Sequence, residues 1–203
     1  MAKSPPGDIF LSSPRFELRR LKPGDAHANL VDWTLDPLAA EMLNAKQKPW
    51  PVEEQKAYFA SYEKKSARLL LGIFAKDDGR MIGFYILKLN PGNSTFNLST
   101  LIGDVEWRGK GATSEASNAL YDYFFNMLGY VKAKANVRPQ NKAMLWLMLM
   151  GVWRKEARLV KHLAVPGSAD RADVFVFGLL ADDWRARPNT TVESQKASAQ
   201  STG

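Results

Sequence analysis

The chain has 203 residues, of which 45% are hydrophobic and 24% are charged, and its net charge is +7. This length suits one domain, since domains usually span about 100–200 residues. The composition is close to the globular average, which excludes wholesale disorder and collagen-like repeats. The positive charge makes an anionic partner worth testing: phosphate, nucleic acid or an acidic surface.

Two residue types exclude further classes of protein. No cysteine is present, so disulfides, thiol nucleophiles and Cys-ligated zinc are ruled out. The only histidines, His27 and His162, lie outside any H-E-x-x-H pattern, so we expect no metal site.

The longest apolar run, residues 143–150, is too short for a membrane span, and residues 1–9 lack the apolar core of a signal peptide. We therefore expect a cytoplasmic protein without a membrane partner.

The chain opens with a predicted strand and two predicted helices. Residues 1–11 carry no regular pattern and are predicted to be flexible. Apolar and charged residues alternate over residues 15–20, which indicates a half-buried strand. The turn Pro23-Gly24-Asp25 then favours a helix start. Trp50-Pro51, followed by two acidic residues, is typical of the start of a second helix.

The remaining elements alternate between strands and helices. Turn-forming residues separate the three apolar runs 69–75, 81–89 and 98–105, which predicts an antiparallel meander. Then follow a helix from Ala112, a strand at 132–137, a helix at 142–150 and strands at 153–163 and 173–180. This order indicates a single α+β domain over residues 12–185. The polar residues 186–203 are predicted to form a disordered tail.

The segment with the most chemical content is Arg108-Gly109-Lys110-Gly111-Ala112-Thr113, between a predicted strand and a predicted helix. Glycines let the backbone approach an anion closely, and a helix N-terminus favours negative charge by about 0.3–1 kcal/mol. Arg108 and Lys110 add formal charge beside it. The segment therefore predicts a phosphate-binding turn.

Two familiar phosphate loops do not fit this segment. A Walker A loop would need glycine at position 104 and Ser or Thr at 111, where Asp104 and Gly111 stand. A dinucleotide fingerprint beginning at Gly109 would need Gly or Ala at position 114, where Ser114 stands.

The segment resembles the pyrophosphate loop of the GCN5-related N-acetyltransferase (GNAT) family, whose pattern is Arg/Gln-x-x-Gly-x-Gly/Ala. The resemblance covers about residues 12–184, because the predicted order of elements is also that of the family. More narrowly, the chain is similar to the branch that includes ribosomal-protein N-terminal (alanine/serine) acetyltransferases. The motifs behind this narrower similarity are Phe16-Glu17-Leu18-Arg19, Ile82-Gly83-Phe84, Trp107 to Gly111 followed by Glu115-Ala116, Asn141 leading to Gly151-Val152, and Gly178-Leu179-Leu180 before Trp184.

The resemblance implies a mixed, mostly antiparallel sheet flanked by helices. It implies direct, acetyl-CoA-dependent transfer to a primary amine, either a peptide N-terminus or a small amine, and it places a backbone N–H near Val105 against the thioester oxygen. The alternative is an acyl-CoA-binding protein with weak or lost catalysis. The residues expected to bind the cofactor are Val105, Arg108, Gly109, Lys110, Gly111, Ala112, Thr113 and Asn141.

Several positions depart from the family pattern. Thr113 stands where the loop pattern ends in Gly or Ala, and Met144 replaces a serine that can protonate the departing thiolate in some relatives. The strand at 98–102 carries no carboxylate, and no tyrosine follows Asn141. Asp104 is then the nearest candidate for the general base, with Glu106 second, and its other interpretation is a turn-capping carboxylate.

Two further segments each keep two interpretations. Residues 144–150 are apolar on every side, which predicts either a fully buried helix or a helix with one face in a homodimer or an acyl or substrate groove. Residues 132–162 contain eight basic residues against the single acid Glu156. They form either a surface for RNA, the ribosome or CoA phosphates, or a solvated face.

Overall fold

A computed structural model describes residues 2–5, 7–37, 39–40, 47–63, 67–165 and 168–187. This part of the chain forms one eight-stranded sheet. The strands are β1 (Phe10–Ser12), β2 (Phe16–Arg20), β3 (Arg68–Ala75), β4 (Met81–Asn90), β5 (Thr95–Ile102), β6 (Lys132–Val137), β7 (Arg154–Ala164) and β8 (Arg171–Leu180). The helices are α1 (Val52–Glu63), α2 (Ala112–Asp122), α3 (Lys142–Met150) and α4 (Ala181–Ala186).

The sheet has the order β1-β2-β3-β4-β5-β6-β8-β7. The first five strands form an antiparallel meander, and β6, β8 and β7 also pair antiparallel. Only β5 and β6 pair in parallel, as expected for two strands joined through the helix α2. The predicted α+β fold with a mixed, mostly antiparallel sheet is confirmed.

The parallel pair holds only at its beginning. Thr95, Phe96 and Asn97 pair with residues 132–134. Beyond them β5 continues to Ile102 and β6 to Val137 without pairing with each other. The two strands therefore separate toward their carboxyl ends and leave a gap in the sheet. Backbone N–H and C=O groups at such an edge need another hydrogen-bond partner. They can therefore form polar contacts with a bound chain or ligand.

Apolar clusters on both faces fix the sheet around this gap. On one face Leu120 of α2 and Phe124, in the π-helical turn Tyr123–Met127 that follows α2, share a cluster with Phe96, which is fully buried. On the other face Trp33 and Phe59 belong to a second cluster that includes residues of β3, β4 and β5. A smaller cluster joins α3, through Met148, to β6 and β8.

The amino-terminal region differs from the prediction. The segment 1–11 was expected to be flexible, yet it contributes most of β1, and the Ala2 amide donates to Ser94 Oγ at 3.1 Å. Ile9 and Leu11 are buried, which supplies the apolar contact that a three-residue strand needs. The first predicted helix is instead two 3₁₀ turns, at Pro23–Asp25 and Ala28–Thr34. Of the predicted tail, residues 188–203 lie outside the described residues.

Helix α3 is not fully buried, so that interpretation of the sequence is wrong. Trp146, Leu149 and Met150 are 66%, 62% and 70% exposed, whereas Met148 is 4% exposed. One side of the helix packs on the sheet and the opposite side is apolar and uncovered in the single chain. Within the described ranges, no helix has the length and apolar content needed to cross a bilayer.

Candidate active site

A cleft of about 900 Å³ opens at the gap between β5 and β6. Side chains from both strands and from the two helices that follow them form its walls. They include Ser99 and Thr100 of β5, Asn136 and Val137 of β6, Thr113, Ser114 and Ser117 of α2, and Asn141, Met144 and Leu147 at α3.

The turn before α2 has the backbone of an anion cradle. Gly109 and Gly111 have φ angles of 72° and 77°, a region that costs other residues about 1–2 kcal/mol. Gly111 is the N-cap of α2 and gives the helix no side-chain cap. The first amides of the helix therefore keep free hydrogens, which point toward the loop.

The space around these glycines is open. A Cβ at Gly109 would meet no atom within 4 Å, and one at Gly111 would meet only Arg15 Nη2, at 3.7 Å. Thr113 and Ser114, in the first turn of α2, line the cleft. The glycine conformation, the absence of a side-chain cap and the open space beside the two glycines fit a phosphate group.

Arg108 uses its charge within the protein. Its Nε donates to the Ile102 carbonyl at 3.0 Å and its Nη2 to the Gly103 carbonyl at 3.1 Å, while Nη1 is paired with the Asp36 carboxylate. The side chain thus fixes the end of β5 and the turn that follows. Its expected role in cofactor binding stays a prediction, and the backbone of the loop is the part still available for it.

Arg15 supports the turn before α2 from outside, a contact that no sequence motif indicated. Its backbone N and its Nε donate to the two carboxylate oxygens of Glu115, each at 2.7 Å, and its Nη2 donates to the Lys110 carbonyl at 3.0 Å. Burial alone would raise the pKa of Glu115, but hydrogen bonds from Arg15 and Ser13 outweigh it and hold that pKa below its usual value. Since the two residues are a hundred positions apart, only the fold reveals the contact.

Asn141 is both the N-cap of α3 and a residue of the cleft wall. Its Oδ1 accepts a hydrogen bond from the Met144 amide at 3.0 Å, so it caps α3. It also lines the cleft, opposite the first turn of α2. Its side-chain amide makes no hydrogen bond with the described residues, which leaves a donor available to a ligand.

Asp104 has the geometry of a turn cap. Its carboxylate accepts from the Glu106 amide at 2.9 Å and lies 3.7 Å from Arg80 Nη1, with 14% of the side chain exposed. It lines a second depression of about 610 Å³, beside Trp33 and Gly103, and it does not line the cleft. Its role as general base stays a prediction. Val105, the first residue of the turn that Asp104 caps, is 66% exposed.

Acid and base groups are scarce in the cleft itself. Among the described residues that line it, none is Asp or Glu. Tyr121 lines it, and burial raises the pKa of this tyrosine, so its hydroxyl stays protonated at neutral pH.

The basic segment 132–162 is partly neutralised within the fold. Lys132 pairs with Glu156, Arg154 with Asp183 and Arg158 with Asp173, each at 2.6 Å. At least three of the eight cations thus have carboxylate partners, which weakens the field available to an RNA or the ribosome. That interpretation of the segment stays a prediction.

Comparison with known proteins gives one family. A family model described as "Acetyltransferase (GNAT) domain" matches residues 15–149, which is more than half of the chain. A search of curated proteins finds no significant match.

Solved structures share the fold at low identity. A probable acetyltransferase from Chromobacterium violaceum is 19% identical over 91% of this chain and 92% of its own, with a TM-score of 0.77. The spermidine N-acetyltransferase of Vibrio cholerae, solved with CoA and spermine, is 18% identical over 84% of this chain and 98% of its own, with a TM-score of 0.73. The ribosomal-protein-S5-alanine acetyltransferase of Vibrio fischeri is 17% identical over 89% of this chain and 100% of its own, with a TM-score of 0.72.

Proposed function

Because the chain belongs to the acetyltransferase (GNAT) family, we propose that it moves an acetyl group from acetyl-CoA directly to a primary amine, with a peptide N-terminus as the preferred acceptor. The observation that carries this proposal is the gap between β5 and β6, which leads to the uncapped, glycine-turned start of α2. A ligand with an extended arm and a diphosphate can place its arm in the gap and its diphosphate at the start of α2.

The described residues fit CoA at both ends of this path. The amides at the start of α2, from Ala112 to Ser114, would hold the diphosphate, because they have no side-chain cap and lie at a helix N-terminus. The unpaired edge of β5 from Leu98 onward and the free amide of Asn141 would hold the arm. When bound, acetyl-CoA supplies the activated thioester carbonyl.

Transfer forms a bond from the amine nitrogen to the acetyl carbon and breaks the bond from that carbon to sulfur. The amine must lose a proton and the thiolate must gain one. Since no carboxylate lines the cleft, an amine that is already partly neutral is the better acceptor. An alkylamine with a pKa near 10 is only about a thousandth neutral at pH 7, whereas an α-amino group, at about 7.7–8.0, is far more available.

The fold leaves the acceptor open. The two named relatives above act on a ribosomal protein and on spermidine, and both share this fold at similar TM-scores. Preference for a peptide N-terminus rests on the chemistry of the cleft and on the motifs shared with the N-terminal branch.

The test is thiol release from acetyl-CoA with an N-terminal peptide and with a lysine analogue blocked at its α-amine. We expect kcat/KM at pH 7 to be higher for the peptide, and the gap to narrow as the pH rises toward 9, because the lysine amine becomes neutral. A higher kcat/KM at pH 7 for a lysine or polyamine substrate than for the peptide would contradict the preference.

Asp104→Asn, which keeps a capping side chain, should lower kcat without changing CoA affinity only if Asp104 is the base.

The second candidate is an acyl-CoA-binding protein with weak or lost catalysis. Two observations favour it: Met144 replaces a hydroxyl beside Asn141, and no carboxylate lines the cleft. Tight CoA binding without thiol release over panels of peptides and small amines would establish this alternative.

A further inference from the structure

A fully buried tyrosine lies beneath the cradle. Tyr85 of β4 is 0% exposed, and its hydroxyl lies 3.2 Å from the Thr113 carbonyl and 2.8 Å from Ser117 Oγ. A tyrosine hydroxyl has one proton. If the tyrosine donates to the Thr113 carbonyl, the Ser117 hydroxyl can donate to the tyrosine oxygen, and all three groups are satisfied.

The bond to Thr113 acts on a particular peptide group. The Thr113 carbonyl and the Ser114 N–H belong to one planar unit and point in opposite directions. Ser114 is the third residue of α2, so its N–H is one of the helix amides that Gly111 leaves uncapped. A donor that fixes the carbonyl therefore fixes the direction in which the Ser114 N–H points, which is toward the cradle.

The Tyr85 hydroxyl also remains a hydrogen-bond donor over a wide pH range. Burial raises the pKa of Tyr85 to about 12, so the hydroxyl keeps its proton over the whole neutral range. A hydrogen bond to the carbonyl further polarises the peptide group and makes its N–H a better donor to an anion.

We propose that Tyr85 is a positioning residue for the cofactor phosphates, acting through the peptide group between Thr113 and Ser114 and supported by Ser117. This inference rests on the proposed function, since it takes the cradle to be the phosphate site of CoA. Tyr85 itself lies inside the core and touches no ligand.

The chain offers a matched control. Tyr130 is also 0% exposed and packs in the same core cluster, but its hydroxyl has no hydrogen-bond partner among the described residues. Tyr130→Phe therefore removes a buried hydroxyl of the same kind without removing a bond, whereas Tyr85→Phe removes the bond to the cradle.

The experiment is calorimetry with CoA on the full chain, with melting temperatures measured in parallel, for the wild type, Tyr85→Phe, Ser117→Ala and Tyr130→Phe. We expect Tyr85→Phe to bind CoA about three- to tenfold more weakly, the change that one hydrogen bond commonly gives. Ser117→Ala should weaken binding by less, and Tyr130→Phe should bind like the wild type.

The outcomes separate this inference from the proposed function. If the wild type does not bind CoA, the proposed function fails and the inference fails with it. If the wild type binds and Tyr85→Phe and Ser117→Ala bind equally well, the inference alone is overturned, whatever their melting temperatures. Should Tyr85→Phe fail to fold, Ser117→Ala decides: weakened binding supports the positioning role, and unchanged binding contradicts it.

Discussion

At the scale of single residues, Gly111 carries the greatest demand. Its φ of 77° disfavours most side chains, and a Cβ there would meet only Arg15 Nη2, at 3.7 Å. We expect Gly111→Val to raise the Kd for CoA more than tenfold, because the branched side chain would enter the cradle. Calorimetry measures this directly.

A control is needed because strain alone lowers stability. Gly129 has a φ of 76°, and a Cβ there would meet no atom within 4 Å, at a site outside the cleft. Gly129→Val imposes the same backbone strain, of about 1–2 kcal/mol, and should leave the Kd for CoA unchanged. An equal loss of affinity in both variants would show that strain, and not occupancy of the cradle, is responsible.

Single residues also show where sequence reasoning stops. The two glycines were identified because their spacing before a helix has a direct backbone meaning. Arg108 was expected to place its charge beside the phosphate, and this stays a prediction; in the structure its guanidinium bonds the Ile102 and Gly103 carbonyls and pairs with Asp36. Those partners, like the contact between Arg15 and Glu115, exist only after the strands and the 3₁₀ segment have come together.

At the scale of elements, α3 begins at Asn141, which caps the helix and is proposed to bind CoA. Asn141 caps the helix through Oδ1 and leaves its amide free. Asn141→Asp keeps the cap and removes the amide donor, so we expect a melting temperature within a few degrees of the wild type and weaker CoA binding. A large drop in melting temperature with intact affinity would show that the cap is the only role.

The start of α2 should be sensitive to acid. The pKa of Glu115 is lowered in the folded protein, so its pairing with Arg15 contributes stability above the usual carboxylate range and that contribution is lost as the pH falls through the folded pKa. We expect Glu115→Gln to melt at a lower temperature than the wild type at pH 7. The difference should shrink below about pH 4.5, as the wild-type carboxylate becomes protonated.

This expectation is checked by thermal melts between pH 3 and pH 8. A constant difference between Glu115→Gln and the wild type over the whole range would mean that the charge of Glu115 contributes nothing. Asp25, whose pKa is also lowered by its bonds to Arg19 and the Lys22 amide, titrates equally in both proteins and cancels in the comparison.

The elements were mostly predictable because their patterns are local. The meander, α1 and α2 follow from turn residues, acidic helix starts and apolar spacing. Strand β1 was missed because three residues are too few for a periodic signal, and its burial depends on contacts with β2 and α2. Two interpretations of α3 stayed open because a helix that is apolar all round has no polar side to mark the solvent face, and only the structure shows that one side is exposed.

At the scale of the whole molecule, the gap between β5 and β6 is the feature around which the candidate site is arranged. Seven strand pairings hold the sheet, and the one parallel pairing stops after three residues. The clusters on the two faces support the strands on either side, so the gap is a fixed part of the fold. In the proposed complex, the cofactor would have its phosphates at the start of α2 and its reactive end between the strands, where an acceptor could reach it.

The most direct measurement is a titration of the ¹⁵N-labelled protein with CoA, followed by amide chemical shifts. We predict the largest changes at residues 98–102 of β5, at residues 109–115 of the cradle and at residues 135–141, the end of β6 and the cap of α3. Shifts confined to the depression around Trp33 and Asp104, or no shifts at millimolar CoA, would contradict the assignment of the gap and the cradle as the acetyl-CoA site.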